Sequence, residues 1–528
     1  MNRLAAASMT VALAFSTPTL AHEEGTVGKL GKVDFANSCN AAAQADLARA
    51  VAILHSFWFS AGEGAFRAVL EKDPGCAIAT WGIASIMMNN PLAGQGASPK
   101  GAEVAQTAIA EGRRIGAKSE RERDYLEAVA TYYADFATRP ERARQESRAK
   151  AYEALAAKYP ADDEAQIFYA LYLAGTQTQA DQTYGAYLKA ASILEPQFAK
   201  HPDHPGVAHY LIHSYDAPPI AKNGVVAAKR YASIAPDAPH ALHMPSHVFT
   251  RVGAWEDSIA TNRRSAQIAV TGNEADEAYH AEDYAVYALL QLARDDEARR
   301  EIDTAMKVQG ISDRFVAYYA IAAMPARYAM ERGAWRDAMA LEAKPSKYPF
   351  VDALTRYARA IGAARANDVA AAQQDAEALA GLHKQLQDAR NTYWANEVEV
   401  QRLTVAGWIA LAQNNRDEAL KLMRAAADLE DRSEKHIVTP GRILPARELL
   451  GDMLMQVGQP AAALKEYEMS QEREPNRFRG LYGAALAAEA SGDATRARQH
   501  YARLRDMTAN APASRPELAK VRGMVASR

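Results

Sequence analysis

Three histidines crowd the stretch "HALHMPSHVF" (residues 240–249), and two more lie four apart in "HYLIHSYDAP" (209–218). Eight of the chain's 13 histidines lie between residues 201 and 280. On a helix, side chains three, four and seven positions apart share one face. His209, His213 and Asp216 have that spacing, as do His240, His243 and His247. Neutral imidazole ligates borderline metal ions and carboxylate extends the choice to harder ones, so the set suits zinc, iron, copper or manganese. An ion with an open position would activate water or dioxygen, with Asp216 or Asp283 as ligand or general base.

Whether these rings converge depends on the elements that carry them. Alanine-rich stretches with a helical period recur along the chain, separated by Gly, Pro and Asp-Asp or Asn-Asn turns, and no strand pattern appears. The chain therefore reads as all-α, built from many short helices. Near the C-terminus, Gly458, Ala463 and Tyr467 recur as Gly492, Ala497 and Tyr501, all three at one common offset, and Pro475 closes the first unit. A turn glycine, a small residue at a helix crossing and an aromatic one turn later are what two packed antiparallel helices need.

This spacing resembles the tetratricopeptide (TPR) repeat over residues 447 to 505, with weaker copies at "EGAFRAVLEKDP", "VGAWEDS", "RGAWRDA" and "NNRDEALKLM". The resemblance implies a TPR-like α-solenoid, a right-handed superhelix of antiparallel helix pairs. The expected organisation is a leader at 1–21, an N-terminal array at 22–342, a C-terminal array at 351–508 and a tail at 509–528. The stretch "AKPSKYPF" (343–350) would join the arrays.

The repeat register places the histidines. With Gly253 as the turn glycine, the fifteenth of 34 positions, His240, His243 and His247 occupy positions 2, 5 and 9 of a repeat's first helix. One repeat earlier, His209, His213 and Asp216 occupy positions 5, 9 and 12. After a six-residue insertion, His280, Asp283 and Tyr287 take positions 2, 5 and 9 of the next repeat, and His55 falls at position 13 of the first. Such positions resemble those that TPR proteins turn into their concave groove. His209, His213, His243 and His247 are therefore expected around one common point, with His280 and Asp216 or Asp283 close by. Pro245 removes an N–H, which leaves open whether His240 lies on the helix or before its cap.

Other candidates carry blander readings. His201 and His204, in "KHPDHPG", read as structural, and Glu63 as a solvated helix start. Arg447 and Glu448 read as groove lining or a surface ion pair, and Tyr284 and Tyr287 as core aromatics beside Asp283. No phosphate-binding loop, dinucleotide fingerprint, nucleophile elbow or zinc-protease motif occurs. With a net charge of -3 and no long basic block, the composition offers nothing for nucleic acid.

Residues 1–21 combine Arg3, the apolar run "LAAASMTVALAF" and the small-residue site "TLA". They predict a leader cleaved after Ala21, hence a periplasmic or secreted protein, with His22 as the new N-terminus and no membrane span in the mature chain. An oxidising compartment permits a disulfide between Cys39 and Cys76, the only cysteines, although two buried thiols are the alternative.

The wider sequence also resembles a family of exported bacterial TPR proteins, through "SCNAAAQADLARAVAILHSFWF", "DPGCAIATWGIA", "HYLIHSYDAP", "HALHMPSHVFTRVGAW" and "VTPGRILPARELLGD". That resemblance implies fold and export but no reaction. Two functions follow: a metalloenzyme or metal-handling protein with a His/Asp site in its groove, or a non-catalytic scaffold whose groove binds a peptide or protein, the histidines serving as contacts.

Overall fold

The computed structural model describes residues 28–512 and 514–526, so the leader and His22 lie outside the described residues. Among the described residues, twenty-six α-helices and one 3₁₀ turn follow one another, and no strand occurs. Consecutive helices pack as antiparallel pairs, and alternate helices touch as well, as Ala275–Gln291 does with Phe315–Glu331 and Pro349–Arg365 with Thr392–Ala412. Each unit buries its apolar face against its neighbours, which makes the chain a TPR-like α-solenoid. No helix of the described residues is long and apolar enough to cross a membrane.

The stack curves back on itself. Helix Gln44–His55 packs against Pro205–Ser214, and Ala275–Gln291 against Phe478–Ala490. Gly253, which ends its helix at φ +67°, shows how tight this second closure is: a Cβ there would lie 2.6 Å from the carbonyl oxygen of Pro475. Trp255 Nε1 donates to the Asn476 carbonyl at 2.8 Å, and Asn476 Nδ2 donates to the Gly253 carbonyl at 3.1 Å. The stretch 341–348 runs without helix, but Phe315, Tyr319 and Met330 before it share one apolar core with Phe350, Leu354 and Trp408 after it.

Arg477 locks the closure. Its guanidinium, wholly buried, donates to Glu448 Oε1 at 2.7 Å, to Glu331 Oε1 at 2.8 Å and to the Tyr287 hydroxyl at 2.6 Å. At the other end Cys39 and Cys76 are joined by a disulfide, with Cα atoms 4.7 Å apart.

Two outcomes follow. Arg477→Met strands Glu331 and Glu448 as buried charges, and chemical denaturation should show a loss of about 3–5 kcal/mol. A loss below about 1 kcal/mol would mean that Arg477 is not the lock. Non-reducing peptide mapping should recover Cys39 linked to Cys76, and loop-closure entropy gives a loss of about 4 kcal/mol on removing the bond; recovery of two alkylated thiols from protein never exposed to reductant would refute the link.

Candidate metal centre

The first helices of three successive repeats carry the histidines. Pro205 begins helix Pro205–Ser214, capped by the His204 side chain, which accepts from the Val207 N–H; this helix holds His209 and His213. Pro239 begins the next, which runs as Pro239–His243 and Pro245–Val252 with Met244 in right-handed helical geometry between them. Pro245 therefore interrupts the hydrogen-bond ladder while the backbone stays helical through Met244, and His240 lies on the first of the two segments with His243, one residue before the segment that carries His247. His280 lies on Ala275–Gln291, a helix buried almost all round.

The structure gathers these six rings into two groups of three. His209, His213 and His240 each offer a ring nitrogen within 4.8 Å of the others, and so do His243, His247 and His280. The groups correspond through the repeat. Positions 5 and 9 of one repeat meet position 2 of the next: His209 and His213 with His240, and one repeat later His243 and His247 with His280. The single convergence of His209, His213, His243 and His247 expected from the sequence is corrected to this pair of triads. A solenoid step turns successive helices, so position 2 of the next helix, and not its position 5, comes alongside. The triads adjoin, with the His213 and His247 ring centroids 5.8 Å apart.

Tautomers are fixed from behind. The His55 carbonyl accepts from His209 Nδ1 at 2.7 Å, and Asp216 Oδ2 accepts from His247 Nδ1 at 2.8 Å. Asn262 donates its Nδ2 to the Ser258 carbonyl at 2.7 Å, which fixes the amide and leaves Oδ1 to accept from His243 Nδ1 at 2.7 Å. A neutral imidazole has one N–H, so Nε2 of His209, His243 and His247 each present a lone pair. Yet Nε2 of His243 and Nε2 of His247 lie 3.0 Å apart. In the other triad, Nε2 of His213 lies 3.1 Å from Nε2 of His209, and His213 Nδ1 is buried without a partner.

Burial works against protonation at the facing nitrogens. Burial pushes His243 well below the ordinary imidazole range, and the neighbouring His280, His247 and His240 push the same way. Burial also lowers His247, against the pull of Asp216. His280 is pushed down to about 3, by burial first and against Glu277. Burial alone would raise Asp216, but Lys435 and Arg251 outweigh it and keep the carboxylate ionised; Arg251 Nε donates to its Oδ1 at 2.8 Å.

The remaining candidates are placed elsewhere. Asp216 touches His247 through the far nitrogen and so orients a ring without joining either triad. Asp283 faces away, accepting from Arg327 Nε at 3.1 Å, while Arg327 also donates to the Gly441 and Arg442 carbonyls. His55 belongs to a separate network: its Nε2 meets Glu164 Oε2 at 3.0 Å, His204 Nε2 meets Glu164 Oε1 at 2.9 Å, and its Nδ1 meets the Tyr210 hydroxyl at 2.8 Å. His55, Glu164 and His204 thus form a third group whose ligand atoms lie within 4.8 Å of one another, apart from the two triads. The Tyr284 hydroxyl donates to the Ile437 and Thr439 carbonyls, and Tyr287 meets Arg477. Glu63 pairs with Arg67 at the surface, Arg447 with Asp428, Asp431 and Glu466, and Glu448 with Arg477.

The groove is not open at the histidines, contrary to the expectation for TPR groove positions. Residues 433–442 from the later repeats cross it, and Ile437 joins the N-terminal apolar core. His209, His213, His243 and His247 are 0–2% exposed, and only His240 and His280 reach 7%. A pocket of about 350 Å³ leads to His240, lined also by Phe57, Trp58, Glu274, Glu277 and Arg314.

Sequence reading missed Phe57, Asn262, Glu277 and Lys435. Phe57 sits at φ +52°, unusual for an aromatic, and its ring centroid lies 4.4 Å from that of His209 and 5.7 Å from that of His240. Glu277 Oε2 accepts from His240 Nδ1 at 3.3 Å and follows His243 by one repeat length, a signal in the register. Lys435 lies buried 4.0 Å from Asp216 with its ammonium otherwise unpartnered, and no pattern marks it or Asn262 in advance.

No family model matches this chain, and no curated protein does. Among solved structures, the human IFIT1 dimer with m7Gppp-AAAA is similar at TM-score 0.36 and 11% identity, over 78% of this chain and 87% of that one. The human IFIT1 dimer with PPP-AAAA is similar at TM-score 0.34 and 11% identity, over 82% and 91%. Likeness at this level does not extend to the chemistry of the histidines.

Histidine nitrogen NMR tests the tautomers. At neutral pH the chelator-stripped protein should show Nδ1 protonated and Nε2 bare on His209, His243 and His247. A protonated Nε2 on His243 or His247 would remove the facing lone pairs.

Proposed function

We propose that this chain is a transition-metal protein, with the ion held by buried histidines inside a TPR-like solenoid. One observation carries the reading: Nε2 of His243 and Nε2 of His247 stand 3.0 Å apart while each ring's Nδ1–H is committed to another acceptor. Two lone pairs at that distance repel, and burial opposes a shared proton. A metal ion bonded to both nitrogens, at roughly 2.0–2.1 Å, accounts for the spacing. Asp216, Asn262 and the His55 carbonyl are then the outer partners that fix ring orientation, as metal-bound imidazole requires.

The role is metal handling or metal-dependent catalysis, and the pocket at His240 is where a small ligand would approach. The second use of such solenoids, docking a peptide or protein, engages faces other than the histidines, because six buried rings are not contact residues. Export through the leader at 1–21 belongs to the same proposal, and the Cys39–Cys76 disulfide agrees with an oxidising compartment.

Elemental analysis of natively purified protein tests the reading. Stoichiometric zinc, iron, copper or manganese is the expected result, as is its loss in the doubly substituted His213→Ala, His247→Ala protein. Because both rings are buried, that protein should also unfold at lower denaturant, so its helical CD must be recorded beside its metal content. Metal-free protein that takes up none of these ions after stripping would overturn the proposal.

A further inference from the structure

Resting on the metal reading, we infer that the centre holds two ions, one in each histidine triad, and that both are copper in the cuprous state. The repeat carries the count. His209, His213 and His240 stand to one another as His243, His247 and His280 do, through the same positions of successive repeats, so whatever the solenoid builds once it builds twice. The two rings most remote in sequence within each triad, His240 and His280, are also the two nearest the surface.

The donor set carries the identity. Neither triad includes a carboxylate, for Asp216 and Glu277 accept from the far nitrogens of His247 and His240. Manganese sites use oxygen donors, and the common mononuclear iron site pairs two imidazoles with a carboxylate, so three neutral imidazoles favour copper or zinc. Charge decides between these. The anions facing the triads are Asp216 and Glu277, with Asp283 turned to Arg327, and they already meet cations: Arg251 and Lys435 at Asp216, Arg314 at Glu277. Two zinc ions would bring four positive charges into this nearly water-free space, two cuprous ions only two. Buried charge without a counter-charge is costly, and the lower total is the one the surroundings tolerate. Zinc on three imidazoles takes a fourth ligand such as water, whereas a cuprous ion is satisfied by three nitrogens, which suits rings as deeply buried as these.

The test is an anaerobic titration of the chelator-stripped full-length protein with Cu(I) against a chromogenic Cu(I) chelator, repeated with Zn(II) and a zinc indicator. We expect two Cu(I) withdrawn per chain, and zinc held at least tenfold more weakly. His240→Ala and His280→Ala, each at the rim of its triad, should each bind one Cu(I) with an unchanged CD spectrum. A single Cu(I) in the parent protein, or loss of both ions from either variant, would overturn the two-ion arrangement. Two zinc ions bound more tightly than copper would overturn the identity and leave the metal reading standing. Binding of neither metal would overturn both readings. Should a variant misfold, the parent stoichiometry still decides the count.

Discussion

The contact between Nε2 of His243 and Nε2 of His247 is the constraint around which the rest of the interior is arranged. Two neutral imidazoles do not approach in this way unaided. Each is turned toward the other because its second nitrogen is anchored, His243 to Asn262 and His247 to Asp216. Asp216 is itself held by Arg251, and Arg251 by Glu434 from the crossing segment. The line of dependence therefore runs from two ring nitrogens outward through ionic and amide groups to the later repeats. Buried polar networks of this kind are tolerable only when their members are satisfied, and the lone pairs at the centre are the members that protein groups alone do not satisfy.

The solenoid explains how such a centre arises. Each repeat turns the same positions toward the same side, and stacking makes a sequence offset of one repeat into lateral adjacency. Three repeats then supply two triads without any loop having to bring distant residues together. What differs from an ordinary TPR array is the cover. Residues 433–442 lie across the concave side and are held there by backbone carbonyls accepting from Tyr284 and Arg327. A groove that would be solvated becomes an interior, and histidines that would be surface contacts lose their water. Arg477, with Glu331 and Glu448, and the neighbouring Asn476–Gly253 contact hold the later repeats against the earlier ones.

Much of this was legible in the sequence. Helical periodicity and the Gly458–Gly492 spacing carried the fold, because a repeat that buries its face only on its neighbours must display its pattern locally. The register also put His240 and His280 at the same position, which is the basis of the triads. It did not reveal that position 2 meets positions 5 and 9 of the preceding helix, since that depends on the rotation between repeats. Asp283 shows the limit differently. Its spacing made it equivalent to His243, but Arg327, a full helix further on, claims it. Lys435 and Glu434 reach Asp216 and Arg251 from the far side of the C-terminal repeats, and no local pattern encodes such a crossing. Asn262 reads as an ordinary polar residue of a second helix until its amide is seen to orient His243.

Anomalous diffraction at the absorption edge of the metal found in natively purified protein tests the central claim most directly. The account predicts anomalous density among the buried histidines, bonded at roughly 2.0–2.1 Å to Nε2 of His243 and of His247, with Asp216 and Asn262 retained on the opposite nitrogens. Anomalous peaks confined to the surface, or His243 and His247 rings rotated apart with a hydrogen bond in place of the facing lone pairs, would contradict it.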